Sequence, residues 1–328
     1  NGLLRSCDIR FEEKGKIKIE SLDTLEGFDD SSVNNLYYLN KALSLGGLNL
    51  EIHENYKCKK PIVVYNYFTP NLDNKIINNA NKIKLNQSSE LTLIEYTVGE
   101  ESKFIKNTFE KILIESGSVL KNFTVQKNKS NGYFYKNISG LQSYNSSYQN
   151  FILSSGLKFN KIDIDMRLEK KNCTCYILSG LSLGKDEHQE IKTQVSHLAP
   201  NCKSYQKIKN VLEKDSNGIY QGKIYVKDVA QKTDAYQLSK ALILNDTAEF
   251  DAKPELEIYA DDVKCSHGST SGSIDLNSIY YLKSRGIPEK EAYQMLINGF
   301  LSEILEKLPE DNLKKFLIEK IGRQINGY

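Results

Sequence analysis

The sequence predicts a mainly β protein that ends in a group of helices. Two observations carry this prediction. From about residue 48 to residue 263, short runs of β-branched and aromatic residues alternate with polar turn clusters, and each run has the length of a strand. From residue 275 onward, apolar residues recur at three- and four-residue steps instead. The change of period separates a strand-rich middle from a helical end.

The N-terminal part holds one recognisable helical pattern. Between Ser32 and Leu45, apolar residues follow roughly helical spacing, and Gly46 with Gly47 would end such a helix as a glycine cap. Residues 1–30 show no clear period. We therefore expect a short N-terminal helical segment ahead of the strands.

Ten runs in the middle of the chain have the composition of strands. They cover residues 61–68, 82–85, 91–98, 111–114, 119–125, 151–153, 161–166, 175–178, 222–226 and 255–259. Strands joined by polar turns fit a sandwich, a barrel or a solenoid of stacked coils. The spacing between runs is irregular, whereas a regular solenoid has a fixed repeat length. The residues alone leave these architectures open.

The C-terminal pattern predicts several helices. Asp275 is a plausible N-cap for a helix that ends at Gly286, and Pro288 suits the first position of the next helix. Apolar residues between positions 292 and 308 form one face of an amphipathic helix, and those between 313 and 321 mark a last one. Packing on the body is the expected use of such faces, and docking of a partner is the alternative.

Composition and charge exclude several classes of function. With 44 basic and 42 acidic residues the chain has a formal charge of +2, so we expect no nucleic-acid partner. The longest apolar run, residues 61–68, is far shorter than the roughly 20 residues that cross a membrane, so we expect no membrane partner.

Six cysteines are too sparse for a disulfide scaffold and indicate reduced thiols in a cytosol-like compartment. No signal peptide is visible, and the absence of an initial Met suggests that an N-terminal piece precedes Asn1.

No sequence motif for catalysis is present. Residues 180–186 resemble a phosphate-binding loop, but three residues rather than four separate Gly180 from Gly184, and Asp186 would repel a phosphate. Any ATP dependence is therefore expected to come from another subunit. The four histidines, His53, His188, His197 and His267, form no hydrolase signature. His197 lies close to Pro200 and is interpreted as structural.

Two pairs of potential metal ligands share the i, i+2 spacing that places side chains on one face of a strand. They are Cys173 with Cys175, and Cys265 with His267. A thiolate beside an imidazole suits iron or the edge of an iron–sulfur cluster. Two ligands do not make a stable site, so a second chain would have to complete it. Buried cysteines and a surface histidine are the alternative. The residues alone favour this alternative for both pairs, and more strongly for Cys173 and Cys175, because free cysteine is mostly a small core residue.

A series of ordered motifs extends from about Leu36 to the C-terminus. They are residues 39–42 with Gly47 and Ile52 near the front, and then the stronger matches at residues 195–200, 222–224, 230–235, 253–262, 265–268 and 284–287. Together they resemble the SufB/SufD family of scaffolds in SUF iron–sulfur cluster assembly. The resemblance implies a right-handed parallel β-helix with a short N-terminal helical segment and a C-terminal helical domain. The expected boundaries are 1–48, 49–272 and 273–328.

The resemblance also implies a function. It predicts a scaffold subunit without catalysis of its own, which pairs with a SufB-like subunit and binds a SufC-like ABC ATPase through its C-terminal helices. A homodimer is a further possibility. The expected location is the cytoplasm, or a plastid-type stroma in a eukaryote.

The SufD branch is favoured by two departures from SufB. Gln237-Leu238-Ser239-Lys240 stands where SufB has Gln-Cys-Asp-Ser, and Cys265-Ser266-His267-Gly268 stands where SufB has Glu-His-Glu-Ala. The resemblance implies that His267, with Cys265 second, holds a transient iron–sulfur cluster at an interface with SufB.

Two alternatives remain open. One is a homodimeric SufB-like scaffold, against which Leu238 argues because it replaces the SufB cysteine. The other is a carbohydrate-active β-helix enzyme that would use paired carboxylates such as Asp163 and Asp165.

Overall fold

The chain forms a parallel β-solenoid of about seven turns, and its described residues include one α-helix before the parallel coils and three after them. This computed structural model describes residues 4–22, 35–99, 103–307 and 311–325. The predicted fold class is therefore confirmed, and the solenoid replaces the sandwich and the barrel. The expected domain boundaries at residues 48 and 272 stay predictions.

The described elements follow one another in a simple order. The strands are β1 (Ile17–Ser21), β2 (Leu48–Ile52), β3 (Ile62–Phe68), β4 (Ile76–Leu85), β5 (Glu90–Gly99), β6 (Ile105–Ile114), β7 (Val119–Gln142), β8 (Ser147–Leu168), β9 (Thr174–Leu183), β10 (His188–His197), β11 (Lys203–Leu212), β12 (Asn217–Val226), β13 (Asp234–Ile243), β14 (Glu249–Ile258) and β15 (Lys264–Ser273). The helices are α1 (Asn35–Leu43), α2 (Leu276–Ser284), α3 (Glu289–Ser302) and α4 (Asp311–Ile325), with short 3₁₀ segments at Pro70–Leu72 and Glu303–Lys307.

Each coil contributes one strand to each of two long sheets. Sheet one contains β1, β2, β4, β6, β10, β12 and β14 with the second halves of β7 and β8. Sheet two contains β3, β5, β9, β11, β13 and β15 with the first halves of β7 and β8. Residues paired in register on neighbouring coils lie from 26 residues (Tyr133 and Phe159) to 33 residues (Asn49 and Lys82) apart in the chain. This variable coil length explains why the sequence shows no fixed repeat.

Residues with a left-handed backbone conformation form a column at the corner where the chain passes from sheet one to sheet two. Its members are Asn55, Ser88, Gly117, Asn145, Asn172, Asn201 and Lys232. The N–H of each donates to a carbonyl of the next coil, as Asn145 does to Lys171 O at 3.1 Å. Asparagine tolerates positive φ better than other non-glycine residues. Part of the high asparagine content therefore serves these corners.

The N-terminal end of the solenoid is closed by residues 9–22. Strand β1 pairs antiparallel with β2, and Ile17 packs into the main core. The buried Glu12 carboxylate accepts from Tyr56 Oη at 2.5 Å and from Lys59 N at 3.0 Å. This end of the core is therefore covered by the chain itself.

Helix α1 packs against sheet one and confirms the predicted N-terminal helical segment, although residues 32–34 of the predicted range lie outside the described residues. The buried Asn40 side chain donates to Asn79 O at 3.0 Å and Asn107 O at 2.8 Å. A Cβ at Gly47 would lie 1.6 Å from Ala80 O, so glycine is required there by the close approach of β4.

The C-terminal helices run back across the outer face of sheet two. Asp275 caps α2 as predicted, since its carboxylate accepts from Asn277 N at 3.0 Å and Ser278 N at 3.2 Å. Gly286 has a φ of +85° after the end of α2. The prediction for Pro288 was wrong by one position, because Pro288 is the N-cap residue and α3 begins at Glu289.

The apolar side of these helices mostly packs on the body, as expected for such faces. One buried cluster joins Ile297, Leu301 and Ile304 to Leu178 and Val211 of sheet two. Of the predicted apolar positions, 308 lies outside the described residues. None of the helices in the described part of the chain combines the length and apolarity needed to cross a bilayer.

Candidate functional site

His267 and Cys265 lie on β15, the last strand of sheet two. In register, they stand beside Gln237 and Ala235 of β13, whose side chains are fully buried inside the solenoid. No further coil covers β15 in the described part of the chain. The face of sheet two that is buried inside the solenoid is therefore exposed to solvent at this end. Here Cys265 is half-buried and His267 is exposed.

The two predicted ligands differ in their surroundings. Cys265 packs against a small apolar cluster that contains Ile224, Val226 and Ala260. Burial, and to a smaller extent the charge of Asp234, raises the pKa of its thiol. The free thiol is therefore protonated at neutral pH, and a metal ion would have to displace its proton.

The predicted ligands do not form a complete metal site by themselves. Among the described residues, no three or more His, Cys, Asp or Glu side chains are grouped so that they could hold a metal ion. Cys265 and His267 would supply two ligands at most, and a stable cluster needs more.

Beneath His267 lies a buried polar network. Tyr220 Oη lies 3.4 Å from Gln237 Oε1 and 3.4 Å from Gln206 Oε1. Gln237 Nε2 donates to Glu255 O at 3.4 Å, which ties β13 to β14 across the interior. A Cβ at Gly222 would lie 2.2 Å from Tyr220 Oη, so only glycine leaves room for this network. The floor of the site is therefore hydrogen-bonded rather than purely apolar.

The C-terminal end of the solenoid is open, in contrast to the covered N-terminal end. Within the described ranges β14 pairs only with β12, and β15 only with β13, so both have a free edge. Half-buried Pro254 and Leu256 continue the inward face of β14. Proline is tolerated on edge strands. Free edges of this length are sites where another strand can pair.

The other cysteine pair is buried, as the favoured interpretation expected. Cys173 and Cys175 are both inaccessible to solvent and belong to the main core. Burial strongly raises the pKa of the Cys175 thiol. These residues lie three strands away from β15 along sheet two.

His197 is a structural residue at the end of β10. Its ring is buried, and Nε2 lies 2.9 Å from Ser204 Oγ. This burial agrees with the interpretation of His197 as a structural residue, and its hydrogen-bond partner is the side chain of Ser204. Burial lowers the pKa of His197 from 6.5 to about 4.

This burial predicts an acid-sensitive contribution to stability. Because the folded-state pKa of His197 is lower than the unfolded value, the unfolded chain takes up a proton first as the pH falls below 6.5. The stability that the neutral, buried ring contributes is therefore complete above pH 6.5 and is lost as the pH falls towards 4. The expected loss in unfolding free energy is about 1.4 kcal/mol per pH unit, or about 3 kcal/mol in all. Urea unfolding of His197→Gln and of the parent protein between these pH values should show a flatter profile for the variant. Parallel profiles would contradict the assignment.

The carboxylates of the carbohydrate-active alternative lie on the outer face of sheet one. Asp163 accepts from Tyr135 Oη at 2.8 Å, and burial raises the pKa of the Asp163 carboxyl group. Asp165 follows on the same face of β8. Strands β10 and β12 separate β8 from β14, which lies at the open end of the solenoid.

Residues 180–186 form a strand and a corner rather than a phosphate-binding loop. Gly180 lies in β9, where a Cβ would meet Ile304 Cδ1 at 2.8 Å. Asp186 has a φ of 59° in the next turn. These positions serve helix packing and chain reversal.

Comparison with known families gives a match over most of the chain. The family model described as "SUF system FeS cluster assembly, SufBD core domain" matches residues 68–300. The match begins at the end of β3, continues through the coils and extends into α3.

Individual relatives point the same way. The chain is 28% identical to the iron–sulfur cluster assembly protein SufD of Escherichia coli over 311 residues, which cover 93% of this chain and 73% of that protein. It is 35% identical to SufD of Bacillus subtilis over 144 residues, 44% of this chain and 33% of the relative. It is 26% identical to the chloroplastic protein ABCI7 of Arabidopsis thaliana over 235 residues, 71% of this chain and 50% of the relative. The chain thus spans half or less of the length of the last two relatives.

Proposed function

The chain belongs to the SufB/SufD family of SUF iron–sulfur cluster assembly proteins and is SufD-like, and on that premise we propose that it is a scaffold subunit which pairs with a SufB-like partner. The observation that carries the proposal is the open end of the solenoid, where Cys265 and His267 lie beside two free strand edges. Family membership also replaces the carbohydrate-active alternative.

The chemistry of the pair suits half of a cluster site. Imidazole nitrogen and thiolate sulfur both bind iron, and the remaining ligands would come from the partner. The cluster is cargo that is assembled and passed on, so an incomplete site on each subunit allows release when the two halves separate. His267 is the principal ligand in this proposal, because it is exposed, and Cys265 is the second.

The free edges give the partner a way to bind. A strand of a second solenoid that adds to β14 or β15 would satisfy the unpaired N–H and C=O groups of that edge. Leu256 and Pro254 would become buried in the same step. Such pairing would set the partner's ligands beside His267 on the continued sheet.

The C-terminal helices are the proposed docking surface for a SufC-like ATPase. On α2, Leu276 is 71% exposed and Tyr280 is 76% exposed, and Tyr281 is exposed beside them. Helix α2 follows β15 directly, with Asp275 as its cap. Movement of α2 on nucleotide binding by the ATPase would therefore act on the strand that carries His267.

The proposal is tested by co-purification of the full chain with a SufB-like and a SufC-like protein, followed by anaerobic reconstitution with iron and sulfide. We expect a complex of the three proteins with a cluster absorption band. Light scattering on this chain alone provides the comparison. A stable homodimer that excludes the SufB-like protein would overturn the pairing and favour the homodimeric alternative.

We also propose the assembly's location as the cytoplasm or a plastid stroma, the second because one relative is named as chloroplastic. The boundaries proposed for the helical and coil regions remain near residues 48 and 272.

A further inference from the structure

A column of small side chains lines the corner between the two sheets. Ser118, Ser146, Cys173, Cys202 and Thr233 each come immediately before a strand of sheet two, and all are buried. Lys203 N donates to Cys173 O at 2.9 Å, and Asp234 N donates to Cys202 O at 3.0 Å. The column therefore follows the stacking of the coils, with neighbours about 4.8 Å apart.

The two cysteines of this column are in contact. Cys173 Sγ lies 3.0 Å from Lys170 O, and Cys202 Sγ lies 3.2 Å from the same oxygen. Both thiols therefore reach the same backbone oxygen, and Cys173 Sγ also lies 2.9 Å from Ser143 O. Strand spacing lies within the Cα separation of about 4.4–6.8 Å that disulfides span.

The contact makes one of the thiols more acidic. The neighbouring Cys202 thiol, together with the Ser146 hydroxyl 3.7 Å away, lowers the pKa of Cys173 to about 7, although burial opposes this. The same contact raises the pKa of Cys202. A fraction of Cys173 is therefore ionised near neutral pH, and the thiolate is the form that reacts with oxidants.

We propose that Cys173 and Cys202 form a redox modification site, which a peroxide converts into a disulfide between two neighbouring coils. The Cys173 thiolate attacks one peroxide oxygen, so that an S–O bond forms, the O–O bond breaks and hydroxide leaves. Cys202 sulfur then attacks the sulfenic acid, the S–S bond forms, the S–O bond breaks, and water leaves with the Cys202 proton. The pair loses two electrons, and the peroxide is reduced to water.

The position of the pair allows this chemistry. The turn of Lys170, Lys171 and Asn172 directly above it is exposed, so a small opening of one corner brings peroxide to Cys173. Cys175 faces the apolar core and stands in register between Tyr148 and Ser204, so no cysteine lies opposite it on a neighbouring coil. The disulfide would link β9 to β11 and hold two successive coils together.

The test uses the full chain with hydrogen peroxide, followed by alkylation in denaturant and mass spectrometry. The reduced protein carries six alkylatable cysteines, and we expect the oxidised protein to carry two fewer. Fragmentation should locate the link between Cys173 and Cys202, and reductant should reverse it. The midpoint of thermal unfolding should rise on oxidation.

Two variants and a control make the assignment specific. Cys173→Ser and Cys202→Ser should each abolish the link and the rise in the midpoint, and both should fold because serine already occupies this column at Ser118 and Ser146. Cys7→Ser, at an exposed cysteine, should leave both effects unchanged. A link through Cys7, Cys58 or Cys265 instead, or overoxidation of Cys173 without a link, would overturn the proposal.

Discussion

Replacement of His267 by alanine is expected to reduce cluster build-up on the reconstituted complex to background. The imidazole is exposed at the open end and is the principal ligand of the proposed site, and alanine would offer the iron nothing in its place. Because the side chain is exposed, the free energy of unfolding should change by no more than about 0.5 kcal/mol. Anaerobic reconstitution measures the cluster by its absorption, and urea unfolding checks the fold.

Two neighbouring variants serve as controls for His267→Ala. Ser266→Ala alters an exposed residue on the opposite face of β15 and should leave cluster yield unchanged. Cys265→Ser should give an intermediate yield, because the second ligand is lost while the first remains. A His267→Ala complex with normal cluster yield would remove His267 from the site and leave the scaffold architecture untouched.

The strand pattern was predictable wherever the inward face is apolar. All ten predicted runs fall on strands, two of them extending one residue beyond the strand, since alternating Ile, Leu and Val residues mark an inward face of the solenoid. No predicted run falls on the short strands β1 and β2, nor on the longer strands β10, β11, β13 and β15. Their inward residues include Thr193, Gln206 and Gln237, and β15 is rich in serine and glycine. Where the inward residues are polar, the strand lacks the alternation of apolar and polar residues from which strands are predicted.

The candidate site was predictable in part. The i, i+2 spacing of Cys265 and His267 predicted a shared face, and the register beside Ala235 and Gln237 shows which face it is. The spacing could not show that β15 is the last strand, because that depends on where stacking ends. Nor could it find the Tyr220–Gln237 floor or the contact between Cys173 and Cys202, since both join residues from different coils.

The second large effect is expected at the contact that holds the C-terminal helices to sheet two. Lys209 is fully buried, and its Nζ lies 2.5 Å from Glu303 Oε2 and 2.6 Å from Phe300 O. Glu303→Ala would leave this ammonium group without its counter-charge, which typically costs 3–5 kcal/mol for a buried pair. Since the Glu303 side chain is 39% exposed, water would replace it in part, and we expect a loss of about 3 kcal/mol in urea unfolding.

The pH dependence of this loss separates the charge effect from simple loss of packing. Burial lowers the pKa of Lys209 to about 8, although Glu303 opposes the shift. A neutral amine needs no counter-ion, so the difference between Glu303→Ala and the parent should shrink as the pH rises above about 8. Lys209→Met removes the charge itself and should cost much less, while Glu306→Ala, at a 62% exposed residue, should cost about 1 kcal/mol or less. If the loss for Glu303→Ala were the same at every pH, packing rather than charge would hold the helices. A charged contact would instead explain how the proposed docking helices remain coupled to the coils beneath His267.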